Sequence, residues 1–142
     1  MAGTTIAAFT QAAQQAQQWV NELAEDLDWE ERRAYRLLRC VLHAVRDWLP
    51  HQEMVDLSAQ LPSLIRGIYF EGWKPLDTPV ADRKKEDFIA RVQDSFSDDR
   101  LNDPDAAVRA VFRLLHRHVS RGEIVQVRNS MKKSLHDLWP QD

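Results

Sequence analysis

From Ile6 the apolar side chains fall at Ile6, Phe9, Ala13, Ala16, Val20, Leu23 and Leu27, so the steps alternate three and four without a fault. That spacing keeps one face of an α-helix apolar over three heptads. Thr4 or Thr5 is placed to cap its start, and Asp28-Trp29-Glu30-Glu31 has the spacing of a capping box, so Asp28 is expected to open the next helix. The second helix is predicted to run to about Trp48 with Leu38, Val41, Leu42, Val45, Trp48 and Leu49 on one face, and Pro50 breaks it. A third begins near His51 and carries Met54, Leu57 and Leu61. Pro62 removes a backbone donor and predicts a kink or restart, after which Leu64, Ile65, Ile68 and Tyr69 continue the apolar face. Gly72 is predicted as a left-handed cap, and the stretch from Trp73 to about Asp82, with Pro75 and Pro79, reads as a connector.

The pattern then recurs. Trp19, Leu23 and Leu27 return 69 residues later as Phe88, Val92 and Phe96. At an offset of 70, Val41-Leu42, Val45, Leu49, Glu53, Met54, Leu57, Leu61, Ile65, Ile68 and Tyr69 become Val111-Phe112, Leu115, Val119, Glu123, Ile124, Val127, Met131, Leu135, Leu138 and Trp139. A match of that length in apolar positions predicts a duplication. The expected architecture is all-α: residues 1–18 as an N-terminal helical extension, repeat one over 19–73, a connector over 74–87 and repeat two over 88–139, two pseudo-symmetric units in one helical bundle. Asp103-Pro104 predicts a later start for the second helix of repeat two, and Ser120-x-x-Glu123 has the full capping-box sequence that Pro50-x-x-Glu53 lacks.

Composition narrows the picture little further. With 142 residues, 44% of them hydrophobic, 29% charged, and only four glycines, the chain has the length of one domain that buries roughly 70% of its unfolded surface. The single cysteine, Cys40, has no internal partner and no C-x-x-C or Cys/His cluster stands near it, which points to a reducing, cytoplasmic setting. No Lys or Arg precedes Arg32, and five glutamines (Gln11, Gln14, Gln15, Gln17, Gln18) interrupt the uncharged first 21 residues. Neither a secretory signal nor a membrane span is expected from such a segment.

One segment looks familiar. Val41-Leu42-x-x-Val45-x-x-Trp48-Leu49-Pro50-x-x-Glu53, followed by Asp56-Leu57-Ser58-Ala59-Gln60-Leu61-Pro62 and Arg66-Gly67-Ile68-Tyr69-Phe70-Glu71-Gly72-Trp73, resembles the bacterial family catalogued as domain of unknown function 2267 (DUF2267). The resemblance covers nearly everything after Gln18, and the Ala-Gln-Leu-Pro piece leading to Gly-Trp is its most specific part. Repeat two departs there, with Asn129-Ser130-Met131-Lys132. The resemblance implies a two-repeat helical fold and brings no activity, ligand or catalytic residue with it.

Candidate chemistry is sparse. His116 and His118, two apart, point about 200° away from each other on a helix and cannot share a metal, while His43, His51 and His136 stand alone. Cys40 aligns with Ala110, which favours a small buried residue over a reactive thiol. Trp19, Trp48 and Trp139 fall on repeat-matched apolar positions and read as core; Trp29 and Trp73 lie at helix ends. Between Arg109 and Lys133 seven basic residues face one acid, and Arg109, Arg113, Arg117 and Arg121 form a ridge at steps of four. A ridge could grip phosphates, but no aromatic residues are interleaved for base stacking, so a solvated face with Asp105 pairing to Arg109 is the preferred reading and nucleic acid is not the expected partner.

Function is therefore expected to be non-enzymatic, without catalytic residue, cofactor or metal: an interaction or regulatory module that self-associates. The candidate contact is Ile6, Phe9, Ala13 and Ala16, with residues 5–18 meeting a second chain in a homodimer instead of folding back on their own core. Two alternatives are a binder of a small apolar molecule at the repeat junction and weak nucleic-acid binding through the arginine ridge.

Overall fold

The computed structural model describes residues 5–81 and 83–141, so Thr4 and Asp82 lie outside the described residues. All regular structure in it is helical. Helices α1 (Ala7–Leu27), α2 (Glu31–Trp48), α3 (His51–Ser58), α4 (Ser63–Phe70), α5 (Lys85–Asp94), α6 (Pro104–His118) and α7 (Arg121–Ser130) follow one another, with 3-10 turns at Pro75–Asp77 and Lys133–Leu138.

The prolines act as expected. α2 ends at Trp48 ahead of Pro50, and Pro62 stops one helix and starts the next, since the residue before a proline is pushed out of the helical region. Gly72 takes φ +70°, the left-handed conformation, two residues after α4 ends, and the Trp73 N–H returns to the Phe70 carbonyl at 3.2 Å. Asp103 caps α6 by accepting from the Ala106 N–H, with Pro104 at the first helical position, so α6 does begin late.

Two capping expectations fail. Thr5 does not cap α1, whose N-cap is Ile6 without a side-chain hydrogen bond. Asp28 closes α1 but does not open α2: it sits in the left-handed region (φ 54°, ψ 48°), and the Trp29 N–H closes back on the Ala24 carbonyl at 2.9 Å. Reversing the chain requires that left-handed residue, which a short polar side chain tolerates. Its carboxylate is thereby lost to α2, whose N-cap is Glu30 with no side-chain bond.

α2 is the central element, in contact with α1, α3, α4, α5 and α6. Burial on every side follows: each residue from Ala44 to Leu49 is buried, including Arg46 and Asp47. An aromatic series runs through the core, Phe88 edge-on to Trp48 (5.4 Å between ring centroids) and to Phe112 (6.0 Å), with Phe112 stacked on Trp139 at 3.9 Å. Trp19, Trp48 and Trp139 are all core residues, whereas Trp29 and Trp73 are half-buried at helix ends.

Candidate interaction surface on the N-terminal helix

Only part of α1 belongs to this core. Trp19, Val20 and Leu23 are its buried residues, and the helix packs on α2, α6 and α4. Towards the N-terminus the same stripe leaves the body: Ala16 is half-buried against the core, Ala13 is exposed, and Phe9 and Ile6 are 67% and 59% exposed. About two turns of regular helix thus extend beyond the body while keeping an apolar face. Ile6 and Phe9 are the large apolar side chains that this leaves open.

The body holds the other end of α1 firmly. Trp19 stacks on the His118 ring with centroids 4.7 Å apart. Arg117 donates to Glu22 at 2.7 Å and to Asp26 at 3.1 Å, and His118 Nε2 lies 2.9 Å from the same Glu22 oxygen. Burial pushes the Glu22 carboxyl up, but bonds from Arg117, His118 and Gln18 outweigh it and hold its pKa down at about 2. Helix α1 therefore enters the overhang from a fixed direction.

Where α1 leaves the body, a shallow groove of about 200 Å³ opens between α1 and α2, lined by Gln17, Val20, Glu31, Arg32 and Tyr35. Tyr35 is itself 40% exposed, so the groove adds apolar surface beside the stripe. A second groove, where the α1–α2 corner meets the start of α6, holds about 180 Å³ and is lined partly by Leu27, Trp29, Leu101 and Ala107. That is below the range of about 300–1,000 Å³ typical of small-ligand sites.

The arginine ridge is engaged with carboxylates along part of its length. Arg113, Arg117 and Arg121 are exposed and Arg109 is half-buried. Arg117 is held by α1 as described, while Arg109 binds Asp137 at 3.3 Å and not Asp105 as its spacing suggested. Asp105 is turned towards Lys85, 3.4 Å away, because the start of α5 brings that ammonium between Asp105 and Asp137. A helix-internal pair was displaced by a tertiary one.

The remaining candidates are occupied by structural bonds. His43 Nε2 lies 2.7 Å from the Ile68 carbonyl and is held below its usual pKa by burial. His51 reaches the Thr78 carbonyl at 2.7 Å and His136 the Met131 carbonyl at 3.1 Å. Cys40 is half-buried, its Sγ 3.4 Å from the Leu37 carbonyl. Among the described residues no three His, Cys, Asp or Glu side chains gather as a metal would need, and no helix is long and apolar enough to cross a membrane.

The Ser120 capping box is only half made. Ser120 Oγ accepts from the Glu123 N–H at 3.3 Å, but the Ser120 N–H is taken by Gln60 Oε1 at 3.2 Å, so Glu123 has nothing to reciprocate. Its Oε2 is buried without a hydrogen-bond partner, and burial, with Glu53 and Asp56 nearby, raises its pKa.

Sequence reasoning missed a buried charged cluster. Arg46, 4% exposed, donates through Nη1 to the carbonyls of Tyr69 (2.9 Å) and Glu71 (2.7 Å), and through Nε to Asp47 at 2.9 Å. Asp47 also receives Arg91 from α5 at 2.7 Å. Burial raises the Asp47 pKa, and the two guanidinium groups reverse that and hold it below the usual carboxylate value. The cluster ties α2 to the end of α4 and to α5, and the Asp47 backbone carbonyl accepts from the Val80 N–H at 2.9 Å, fixing the connector. A signal was available: in Ala44-Val45-Arg46-Asp47-Trp48-Leu49 the flanking apolar residues cover more of the helix circumference than one face requires.

A family model described as "Uncharacterized conserved protein (DUF2267)" matches residues 16–138. No curated protein matches the chain.

Proposed function

Because the chain belongs to the DUF2267 family, whose description assigns no activity, we propose from its geometry that it is a non-enzymatic interaction module that self-associates through the overhanging half of α1. One observation carries the reading: Phe9 and Ile6 stand 67% and 59% exposed on a helix whose other end is anchored in the core. Single exposed apolar residues are ordinary, but a continuous stripe leading off a core is the mark of a contact surface. The family match begins at residue 16, so most of this surface precedes the shared part of the chain. A helix pair of this length falls short of the roughly 1,200 Å² of a standard interface, which makes the dimer weak.

The body that carries the surface is, in the same reading, a pair of tandem pseudo-symmetric repeats working in the cytoplasm. Helix boundaries support the repeat: α2 and α6 end, α3 and α7 begin, and α4 and the last 3-10 turn begin, each pair 70 residues apart.

Deleting residues 1–17 tests the function. Full-length protein at high micromolar concentration is expected to scatter light as a dimer, and the truncated protein as a folded monomer. A monomeric full-length chain, or a truncated chain that still dimerises, overturns the reading.

A further inference from the structure

We propose that the start of α7 works as a two-position latch: the Ser120 N–H is held either by Gln60 of the α3–α4 corner, as in this structure, or by the carboxylate of Glu123, so that tying the two halves together and completing the cap of α7 compete for one donor.

Both acceptors are in place. Ser120-x-x-Glu123 is the spacing at which a glutamate three residues along reaches back to the N–H of the capping serine. The backbone is already set for that bond: Ser120 has the conformation of an N-cap (φ −58°, ψ 147°), and its Oγ accepts from the Glu123 N–H. Tertiary structure brings the rival. Gln60 follows α3 on a corner fixed by the buried Leu61, by Pro62 and by Arg66, which donates to the carbonyls of Ser58 (2.8 Å) and Leu61 (2.9 Å). From this corner Gln60 Oε1 accepts from the Ser120 N–H at 3.2 Å.

Each position gives up one bond to gain another. With Gln60 seated, Glu123 Oε2 is buried without a hydrogen-bond partner, and the carboxyls of Glu53 and Asp56 stand nearby. Such surroundings penalise the ionised form. With Glu123 seated, the donor gains a charged acceptor at a helix N-terminus, where a carboxylate is favoured, and the Gln60 amide turns to water. The first half has no such choice. Its matching glutamate, Glu53, belongs to a helix whose N-cap is Pro50, which has no N–H to offer.

The experiment follows the Glu123 carboxyl of the full chain by carbon-13 NMR titration, assigned with Glu123→Gln. Gln60 is exposed, so Gln60→Ala leaves the fold in place. In that variant Glu123 takes the released N–H, and its pKa falls from above the ordinary 4.5 to below it. An unchanged or higher value overturns the latch. Ser120→Pro supplies the control, because Ser120 and the extended Val119 before it already have the backbone that a proline requires, and the variant removes the donor. In its background Gln60→Ala is expected to leave the Glu123 titration where it was; a fall of the same size would show that the two side chains do not compete for that donor. Urea unfolding gives an independent measure. Gln60→Ala should lower the folding constant about threefold more in a Glu123→Ala background, where no second acceptor exists, than in the unsubstituted chain. Equal losses contradict the exchange.

Discussion

The first half of the chain and the second pack similar apolar patterns, and past α5, which starts uncapped at Lys84, they secure the ends of their helices by different means. In the first half no helix has a side-chain cap: α2, α3 and α4 begin at Glu30, Pro50 and Pro62 without one. Order at the far end of α4 comes instead from inside, through Arg46 on the carbonyls of Tyr69 and Glu71. In the second half α6 and α7 are capped by Asp103 and Ser120, and the positions matching Arg46 and Asp47, His116 and Arg117, lie nearer the surface. The contrast reaches the core, where the Tyr69 hydroxyl donates to the Met54 carbonyl at 2.9 Å while Trp139 Nε1 finds no partner among the described residues. A shared hydrophobic pattern fixes which faces meet; it leaves the polar ends to be satisfied separately in each half.

On that contrast, the largest effect of a single substitution lies at Arg46. Arg46→Met strips Asp47 of one buried cation and leaves the Tyr69 and Glu71 carbonyls without their donor. The expected loss is about 3–5 kcal/mol in urea unfolding. His116→Met, at the matching place in α6, should lose less than half as much, and equal losses would erase the distinction.

A smaller effect separates the halves by pH, through the contact that joins α1 to the second half. Glu22 is held at about 2, below its ordinary value of 4.5, so its contribution is fully present above pH 4.5 and is lost as pH falls towards 2. Because Arg117 is 43% exposed, screening reduces this to about 1–2 kcal/mol. Glu22→Gln should remove that part of the acid dependence, and an unaltered profile between pH 5 and pH 2 would show that the contact adds nothing.

The smallest test concerns the caps. Asp103→Ala removes the bond to the Ala106 N–H and is expected to cost about 1 kcal/mol. Glu30→Ala at the start of α2, where no side chain caps, should change the unfolding midpoint far less. Comparable losses would mean that capping does not distinguish the halves.

These differences mark where the sequence could be read and where it could not. Helix boundaries were legible because Pro50, Pro62 and Gly72 act through their own backbone geometry, whatever surrounds them. The exposed stripe was legible in spacing, though only the fold shows that nothing of the same chain covers Phe9. Arg46 and Asp47 were missed, despite the apolar residues crowded around them, because a one-face reading assumes an outer helix and α2 is packed on several sides. The Asp105–Arg109 pairing failed for a related reason: Lys85 and Asp137, distant in sequence, outcompete a neighbour one turn away.

The lone cysteine gives this architecture a built-in reporter. Burial pushes the Cys40 thiol up to about 11, against partial relief from Ser95 and nearby arginines. The folded chain therefore holds this thiol in its neutral, poorly nucleophilic form at pH 7, and Cys40 is expected to react with alkylating reagents more slowly there than in the urea-unfolded chain. The ratio of the two rates reads how far packing protects this place on α2. Followed over temperature, it reports the loosening of that packing without any introduced label.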